Sequence, residues 1–405
     1  MSSTQFPVFI VCAGLLARIL FLIFLMMQDP YRVLAGTDSL SFYIEAMQVA
    51  WSGRFLSWDI GWHIYVNASG LFMRLFGSSI FWMCLLSIIA WLLTALMVLK
   101  IANFCEASER MKVLSAAVIA FAPSLFLSTS VPLREPFQLL GITIILYSMF
   151  LFNHQKRATA MMLVLLGSII AGSTHLAMLI SVIVMFFSPL IYNSIIKYNT
   201  VTVGRIGFAV MIVILGYLVL LALLEDRNYG GSGNVFEAAE SFQRTGATVD
   251  ARAQYKSDIA FSSGFGTIYF IVIGFFQYLF EPMPWRISTF GDVIVFFENM
   301  LRLGLILFSL KFVLEDRGVH RMRVLFFLSL YLFIEFIWST GTINWGTAAR
   351  HHVAATALLL ASSCAASAGY RFKRLLRFKK SPVGTRAAGV SRLIPANDKA
   401  RSARR

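Results

Sequence analysis

Two carboxylates stand in the segment VLAGTDSLSFYIEAMQVAWSGRF, which lies between two long apolar runs. Asp38 and Glu45 are seven residues apart, so a helix places both on one face, two turns from each other. Such a carboxylate can accept the proton of an attacking hydroxyl, or hold a divalent metal ion that neutralises a leaving phosphate. Asp38 also opens the predicted helix, where an N-cap belongs, so capping is its structural alternative. For Glu45 the alternative is a solvated helix face.

Charged residues and histidines also interrupt three later turns between apolar runs. They are Arg134 and Glu135 in SVPLREPFQLL, His175 in AGSTHLAM, and Arg350 and His351 in NWGTAARHHVAATALLL. Because arginine binds phosphate through paired hydrogen bonds, these turns suit an anionic ligand. We predict that all five, with Glu45, bind substrate around a catalytic Asp38. The structural alternatives are an interfacial ion pair at 134–135 and a packing role for the lone His175.

The elements that must position these residues are membrane helices. The chain has 405 residues, of which 58% are hydrophobic and 14% charged; soluble domains have about 45–50% and about 25%. Apolar runs near the length of a bilayer crossing recur at 6–27, 79–100, 111–131, 137–153, 158–173, 176–193, 206–224, 266–281, 290–313, 324–342 and 353–370. The sequence therefore predicts an all-α polytopic membrane protein with about 10–11 transmembrane helices.

The positions of Lys and Arg in the connections predict which side of the membrane each connection faces. The connections at 100–112, 156–157, 197–205 and 317–323 are rich in Lys and Arg, which predicts that they and the C-terminus are cytoplasmic. The turns carrying the candidate residues then face outside. Segment 266–281 breaks the alternation and is predicted to be re-entrant, unless 158–193 forms one broken span.

The first outer loop, 28–78, is predicted to hold two amphipathic interfacial helices that roof a cavity. One spans 38–52, with an apolar stripe formed by Leu40, Tyr43, Ile44, Met47, Ala50 and Trp51. The other lies in DIGWHIYVNASGLFMRLFG, where His63, Asn67 and Arg74 form the polar face. Both belong to one predicted domain, 1–370, whose second polar loop is 225–265.

The net charge of +15 is concentrated in the segment 371–405, which is predicted to be a disordered cytoplasmic tail. A basic block beside a last span meets anionic lipid, so the tail predicts lipid contact and not nucleic-acid binding.

The four cysteines show no metal spacing and are predicted to be small packing residues. Arg18, in the middle of the first apolar run, predicts an anionic partner because an unpaired charge there is costly.

Taken together, several of these motifs resemble the GT-C superfamily of membrane glycosyltransferases, the group that includes the aminoarabinose and protein-mannose transferases. The resemblance rests on the internal Arg18, on Asp38-Ser39 with Phe42 four residues after the Asp, and on RLFGSS closing the first loop. LREPFQLLGITIILY resembles the outer turn between the third and fourth spans, and NWGTAARHHVAATALLL resembles the Arg-led final spans. The middle of the chain matches by hydropathy alone.

The resemblance implies inverting transfer of a sugar from a polyprenyl-phosphate carrier to a glycan or lipid acceptor, in envelope or exopolysaccharide assembly. It implies an outer active site in the bacterial inner membrane. Asp38 would be the acid–base residue or a metal-associated carboxylate, and Arg134, His175 and Arg350 would bind the phosphate side. Two alternatives stay open: a polysaccharide polymerase or ligase of the O-antigen type, and a transporter or flippase of lipid-linked glycans. A transferase predicts that Asp38, Arg134 and Arg350 converge, whereas a transporter predicts a polar path through the membrane.

Overall fold

A computed structural model of the protein describes residues 5–28, 36–56, 61–198, 253–255, 264–316 and 318–380. Helices make up nearly all of this part of the chain. In order they are α1 (Gln5–Met27), α2 (Gly36–Ser52), α3 (Trp62–Phe76), α4 (Ile80–Phe104), α5 (Glu109–Phe121), α6 (Pro123–Ser128), α7 (Glu135–Asn153), α8 (Arg157–Gly172), α9 (Leu176–Phe186), α10 (Ser188–Tyr198), α11 (Gly264–Phe280), α12 (Phe290–Glu315), α13 (Val319–Gly341) and α14 (Trp345–Lys380). A short 3₁₀ turn, Pro284–Arg286, precedes α12.

The predicted fold class is confirmed: the chain is an all-α polytopic membrane protein. Within the described ranges, six helices are long and apolar enough to cross a membrane, namely α1, α4, α7, α12, α13 and α14. A seventh crossing results if α9 and α10, bent by 42° at their junction, form one broken span. The predicted run 111–131 divides into α5 and α6 at Pro123, which cannot continue a helix from inside it. Segment 206–224 lies outside the described residues, so a total of ten or eleven crossings stays a prediction.

Helix α14 forms the centre of the bundle. Asn344 caps its start by accepting a hydrogen bond from the backbone N–H of Thr347 (2.7 Å). Its sequence AATALLLASSCAASAG is rich in small residues, which let neighbouring helices approach closely. It packs most extensively against α13, α7 and α12, and nearly all of its apolar window is buried. The helix continues to Lys380, so the first ten residues of the predicted tail are helical and not disordered. Residues 381–405 and all of the predicted loop 225–265 except 253–255 and 264–265 lie outside the described part.

The two predicted helices of the first loop are present as α2 and α3, but they pack mainly against each other, and this changes their buried faces. In α2 the buried residues include Ala46 and Val49, whereas Ile44 and Trp51 of the predicted stripe are exposed. In α3 the predicted polar Asn67 is fully buried, where its amide exchanges two hydrogen bonds with the backbone of Leu56 (2.8 and 3.2 Å). The two helices bury one face against each other, and each keeps exposed apolar residues, among them Trp51, Leu75 and Phe76.

Arg18 is fully buried, and its partners are neutral. Its guanidinium donates to the Thr129 hydroxyl (2.9 Å) and to the carbonyl of Ala120 (2.8 Å), and it lies 3.8 Å from the centre of the Trp91 ring. Among the described residues no carboxylate pairs with it, so the predicted anionic partner is not found there. Cation–π contact and carbonyl acceptors take that role. Arg18 thus joins α1 to α4, α5 and the turn after α6.

Close backbone contact between α7 and α8 gives a first testable prediction. A Cβ built on Gly141 would lie 2.6 Å from the Gly167 carbonyl oxygen and 2.8 Å from the Ala171 Cβ, whereas one on Gly304 of α12 would meet nothing within 4 Å. We expect Gly141→Ala to lower the free energy of unfolding by about 1–3 kcal/mol, because the two helices must separate. Gly304→Ala is the matched control and should leave stability equal or slightly higher. Thermal unfolding in detergent, followed by tryptophan fluorescence, measures both; equal effects would show that α7 and α8 do not pack this way.

Candidate functional site

One guanidinium joins two of the predicted carboxylates. Arg350, near the start of α14, donates to the Asp38 carboxylate (3.1 Å) and twice to Oε1 of Glu135 (2.7 and 3.1 Å). The Asp38 side chain is half-exposed, and that of Arg350 is partly exposed. Glu135 is buried, and its second carboxylate oxygen has no partner among the described residues. We call Asp38, Glu135, Arg350 and the adjacent Arg134 the acid–arginine cluster.

Local structure explains why these side chains meet. Helix α7 begins at Glu135, and Pro136 is tolerated because the first turn needs no backbone donor there. Ser39 of α2 donates to the carbonyl of Pro132 in the turn before α7 (3.1 Å), which fixes the first turn of α2 beside that of α7. Asp38 lies inside this first turn, so the predicted N-cap role is wrong: the helix begins two residues earlier, at Gly36. Its carboxylate binds Arg350 instead.

Arg134 is the second cation of the acid–arginine cluster. One of its Nη atoms donates to the carbonyl of Thr174 (3.3 Å), and its guanidinium lies 5.7 Å from the centre of the Phe42 ring. Burial lowers the pKa of Arg134, against the opposing effect of the Glu135 and Asp38 charges. The remaining N–H groups of its fork have no hydrogen-bond partner within the described ranges. Arg134 therefore offers unused donors for an anion beside Arg350.

The predicted His175 and His351 meet around a third aromatic residue, Trp338. The rings of His351 and Trp338 are stacked with centroids 3.8 Å apart, and the His175 ring lies 4.6 Å from that of Trp338. His175 accepts a hydrogen bond from the backbone N–H of Ala177 (3.1 Å), which caps α9. Burial lowers the pKa of His175 well below its ordinary value, and the charge of Arg134 lowers it further. His175 is therefore neutral at pH 7.

Glu45 is the one predicted site residue that the structure leaves apart from these groups. Its carboxylate accepts a hydrogen bond from the indole of Trp62 at the exposed start of α3 (3.1 Å). Two helical turns separate Glu45 from Asp38, and the hydrogen bond to Trp62 directs the Glu45 side chain toward α3. No group of three His, Cys, Asp or Glu side chains in the described part of the chain is arranged to hold a metal ion. A metal at Asp38 stays a prediction.

A buried polar cluster was missed by the sequence reasoning. Glu335 of α13 accepts hydrogen bonds from Tyr278 of α11 (2.8 Å) and from Nδ1 of His352 (2.6 Å). The other ring nitrogen of His352 faces the Tyr278 carbonyl oxygen (3.2 Å). All three side chains are almost completely buried. The signal was present, because Glu335 is the sole acid in the apolar run 324–342, and an ionisable residue at that depth is costly unless paired.

Comparisons of the chain with protein-family models, with curated protein sequences and with solved structures found no match.

Proposed function

We propose that the protein is a membrane glycosyltransferase that moves a sugar from a polyprenyl-phosphate carrier to a glycan or lipid acceptor. The observation that carries this proposal is the convergence of Asp38 and Glu135 with Arg350 and Arg134 at one end of the bundle. The arginines would bind the carrier phosphate and stabilise the charge that develops on it as the sugar leaves. The half-exposed Asp38 carboxylate would bind the acceptor hydroxyl. The bacterial inner membrane and a cytoplasmic C-terminus belong to the same proposal.

A mostly apolar cleft between α12 and α14 supports a lipid substrate. The cleft has a volume of about 40 Å³ and runs along the face of α14 that carries Ala349, Val353 and Leu360, with Glu298 and Arg302 of α12 also in its lining. Ala349 of the cleft is followed in α14 by Arg350, although no residue of the acid–arginine cluster lines the cleft itself. Leu301 on its α12 wall is exposed at the surface of the bundle, where lipid would lie. A substrate with a phosphate head and an apolar chain matches this combination of surfaces.

A transporter of lipid-linked glycans is the second candidate, and the buried Glu335–His352 pair favours it. Ionisable pairs inside membrane bundles often mark proton or substrate pathways. Against this, the described polar groups at that depth contact one another and pack among apolar side chains. A polymerase or ligase of the O-antigen type would use the same acid–arginine chemistry with a larger glycan.

The deciding experiment is transfer of radiolabelled sugar by the purified protein in lipid nanodiscs. Polyprenyl-phosphate donors carrying mannose, glucose, galactose or aminoarabinose are tested with lipid and glycan acceptors. We expect one donor to be used, and we expect Asp38→Asn to lower the rate by about 10²-fold or more, since the amide lacks the negative charge that balances Arg350 and holds the acceptor hydroxyl.

The matched control is Glu109→Gln, which removes a surface carboxylate paired with Lys112 one helical turn away. It should transfer sugar at the wild-type rate. An Asp38→Asn variant as active as the wild type would reject the assignment of Asp38. If no donor is used but the protein moves labelled lipid-linked sugar between vesicle leaflets, the transporter replaces the transferase.

A further inference from the structure

Three histidines near the start of α14 have three different hydrogen-bonding states. His352 is buried with both ring nitrogens engaged, by Glu335 and by the Tyr278 carbonyl. His175 accepts from a backbone N–H at Nδ1, so its neutral ring carries the proton on Nε2 and acts there as a donor. His351 differs from both, because its hydrogen bond with the Thr342 hydroxyl determines which ring nitrogen carries the proton.

The Thr342 hydroxyl orients His351. Thr342 follows the last residue of α13 and donates its single hydroxyl proton to the carbonyl of Trp338 (2.7 Å). The same oxygen lies 2.8 Å from Nδ1 of His351, so it must accept, and Nδ1 must carry the proton. Nε2 of the neutral ring is then a lone pair. The stack on Trp338 fixes the plane of the ring, and His351 is partly exposed, with no partner for Nε2 in the described part of the chain.

The surroundings of this lone pair suit a ligand with hydroxyl groups. The Nε2–H of His175 is a donor nearby, whereas the indole N–H of Trp338 has no partner among the residues described but is buried. One ligand hydroxyl can donate to His351 while another accepts from His175. The charged side chains around the ring are Arg350, the preceding residue, and Arg134, which binds the residue before His175. The acid–arginine cluster and this aromatic site are therefore contiguous.

We propose that His351 is the general base of the reaction and that Thr342 is its positioning residue. This inference rests on the proposed glycosyl transfer. Nε2 of His351 takes the proton of the acceptor hydroxyl as that oxygen bonds to the anomeric carbon of the sugar. The bond from that carbon to the phosphate oxygen breaks, and its electron pair leaves on the phosphate held by the arginines. The imidazolium, still donating to Thr342, then releases its proton to water. Asp38 balances Arg350 and orients the hydroxyl.

A first test does not depend on transfer. Nitrogen-15 NMR of histidine-labelled protein distinguishes the Nδ1–H from the Nε2–H tautomer, and the His351→Gln variant identifies the signal. We expect His351 in the Nδ1–H form and His175 in the Nε2–H form. An Nε2–H signal for His351 would overturn the assignment of its lone pair, whatever the protein's activity.

The second test is kinetic and uses the donor that the wild type accepts. His351→Gln should lower kcat by about 10²-fold with little change in KM, because glutamine has no proton-accepting nitrogen. Thr342→Val should lower kcat about tenfold, whereas Thr342→Ser, which keeps the hydroxyl, should retain the wild-type rate. In His351→Ala, added imidazoles should restore transfer in the order of their basicity, which a space-filling role would not produce.

The outcomes separate this inference from the proposed function. If the wild type transfers sugar and His351→Gln keeps its kcat, His351 is not the base, although the protein is still a transferase. The same conclusion follows if imidazoles restore transfer in the order of their size and not of their basicity. A wild type without transfer would reject the proposed function, and with it the catalytic role of His351, while NMR would still decide the tautomer.

Discussion

Arg350→Gln is expected to lose sugar transfer by about 10²–10³-fold and to lower stability as well. The catalytic loss follows from the proposed phosphate contact. The loss of stability follows from Glu135, which is buried and has Arg350 as its sole hydrogen-bond donor among the residues described. Without the guanidinium, a buried carboxylate is left unpaired beside the charge of Asp38. Breaking a buried pair costs about 3–5 kcal/mol, and the lower end applies because Arg350 is partly exposed.

The double variant Arg350→Gln/Glu135→Gln separates the two effects. Two neutral amides can bond to each other, so we expect it to recover most of the lost stability without recovering transfer. Arg350→Lys keeps the charge but cannot bridge Asp38 and Glu135 with one planar fork, so its stability should be intermediate. Thermal unfolding in nanodiscs and the transfer assay are run on the same preparations. A single Arg350→Gln variant as stable as the wild type would show that the bridge to Glu135 does not form.

Much of the fold was predictable because membrane helices leave a strong pattern. Long apolar runs account for α1, α4, α7, α12, α13 and α14, whereas the break at Pro123 within the predicted run 111–131 was missed. The buried faces of α2 and α3 were not predictable in this way. Val49 is buried because Gly70 lets α3 approach it, and a single-helix pattern contains no information about that partner. The burial of Asn67 was not predictable for the same reason, because it depends on two hydrogen bonds to the backbone of Leu56.

Much of the acid–arginine cluster was also predictable, since an ionised side chain beside an apolar run needs a reason to be there. That reasoning selected Asp38, Glu135 and Arg350, which the fold brings within hydrogen-bond distance across 312 positions of sequence. It missed Trp338 and Thr342, because an aromatic ring and a hydroxyl at a helix end are ordinary in membrane proteins. Their role follows from the direction of one hydrogen bond, which depends on atomic positions.

Glu335→Leu is expected to give the largest loss of stability of any single substitution considered for this protein. The carboxylate accepts hydrogen bonds from Tyr278 and His352, and removing it leaves both donors without that acceptor in a region closed to water. Loss of one member of a buried pair costs about 3–5 kcal/mol, mostly through the polar group left behind. The three groups come from α11, α13 and α14, so the packing of all three helices should loosen.

The thermodynamic cycle of Glu335→Leu, His352→Leu and the double variant measures this directly. Each single variant leaves a polar group buried alone, whereas the double variant replaces the pair by apolar side chains that suit the bilayer interior. We therefore expect the double variant to be more stable than either single one, with a coupling free energy of about 2 kcal/mol or more. Phe336→Leu, on the neighbouring and more exposed position of α13, is the matched control and should change stability by less than about 0.5 kcal/mol. Additive single effects would mean that Glu335 and His352 do not interact, and that the first turns of α14 are held against α13 by the Trp338–His351 stack and the Thr342–His351 hydrogen bond.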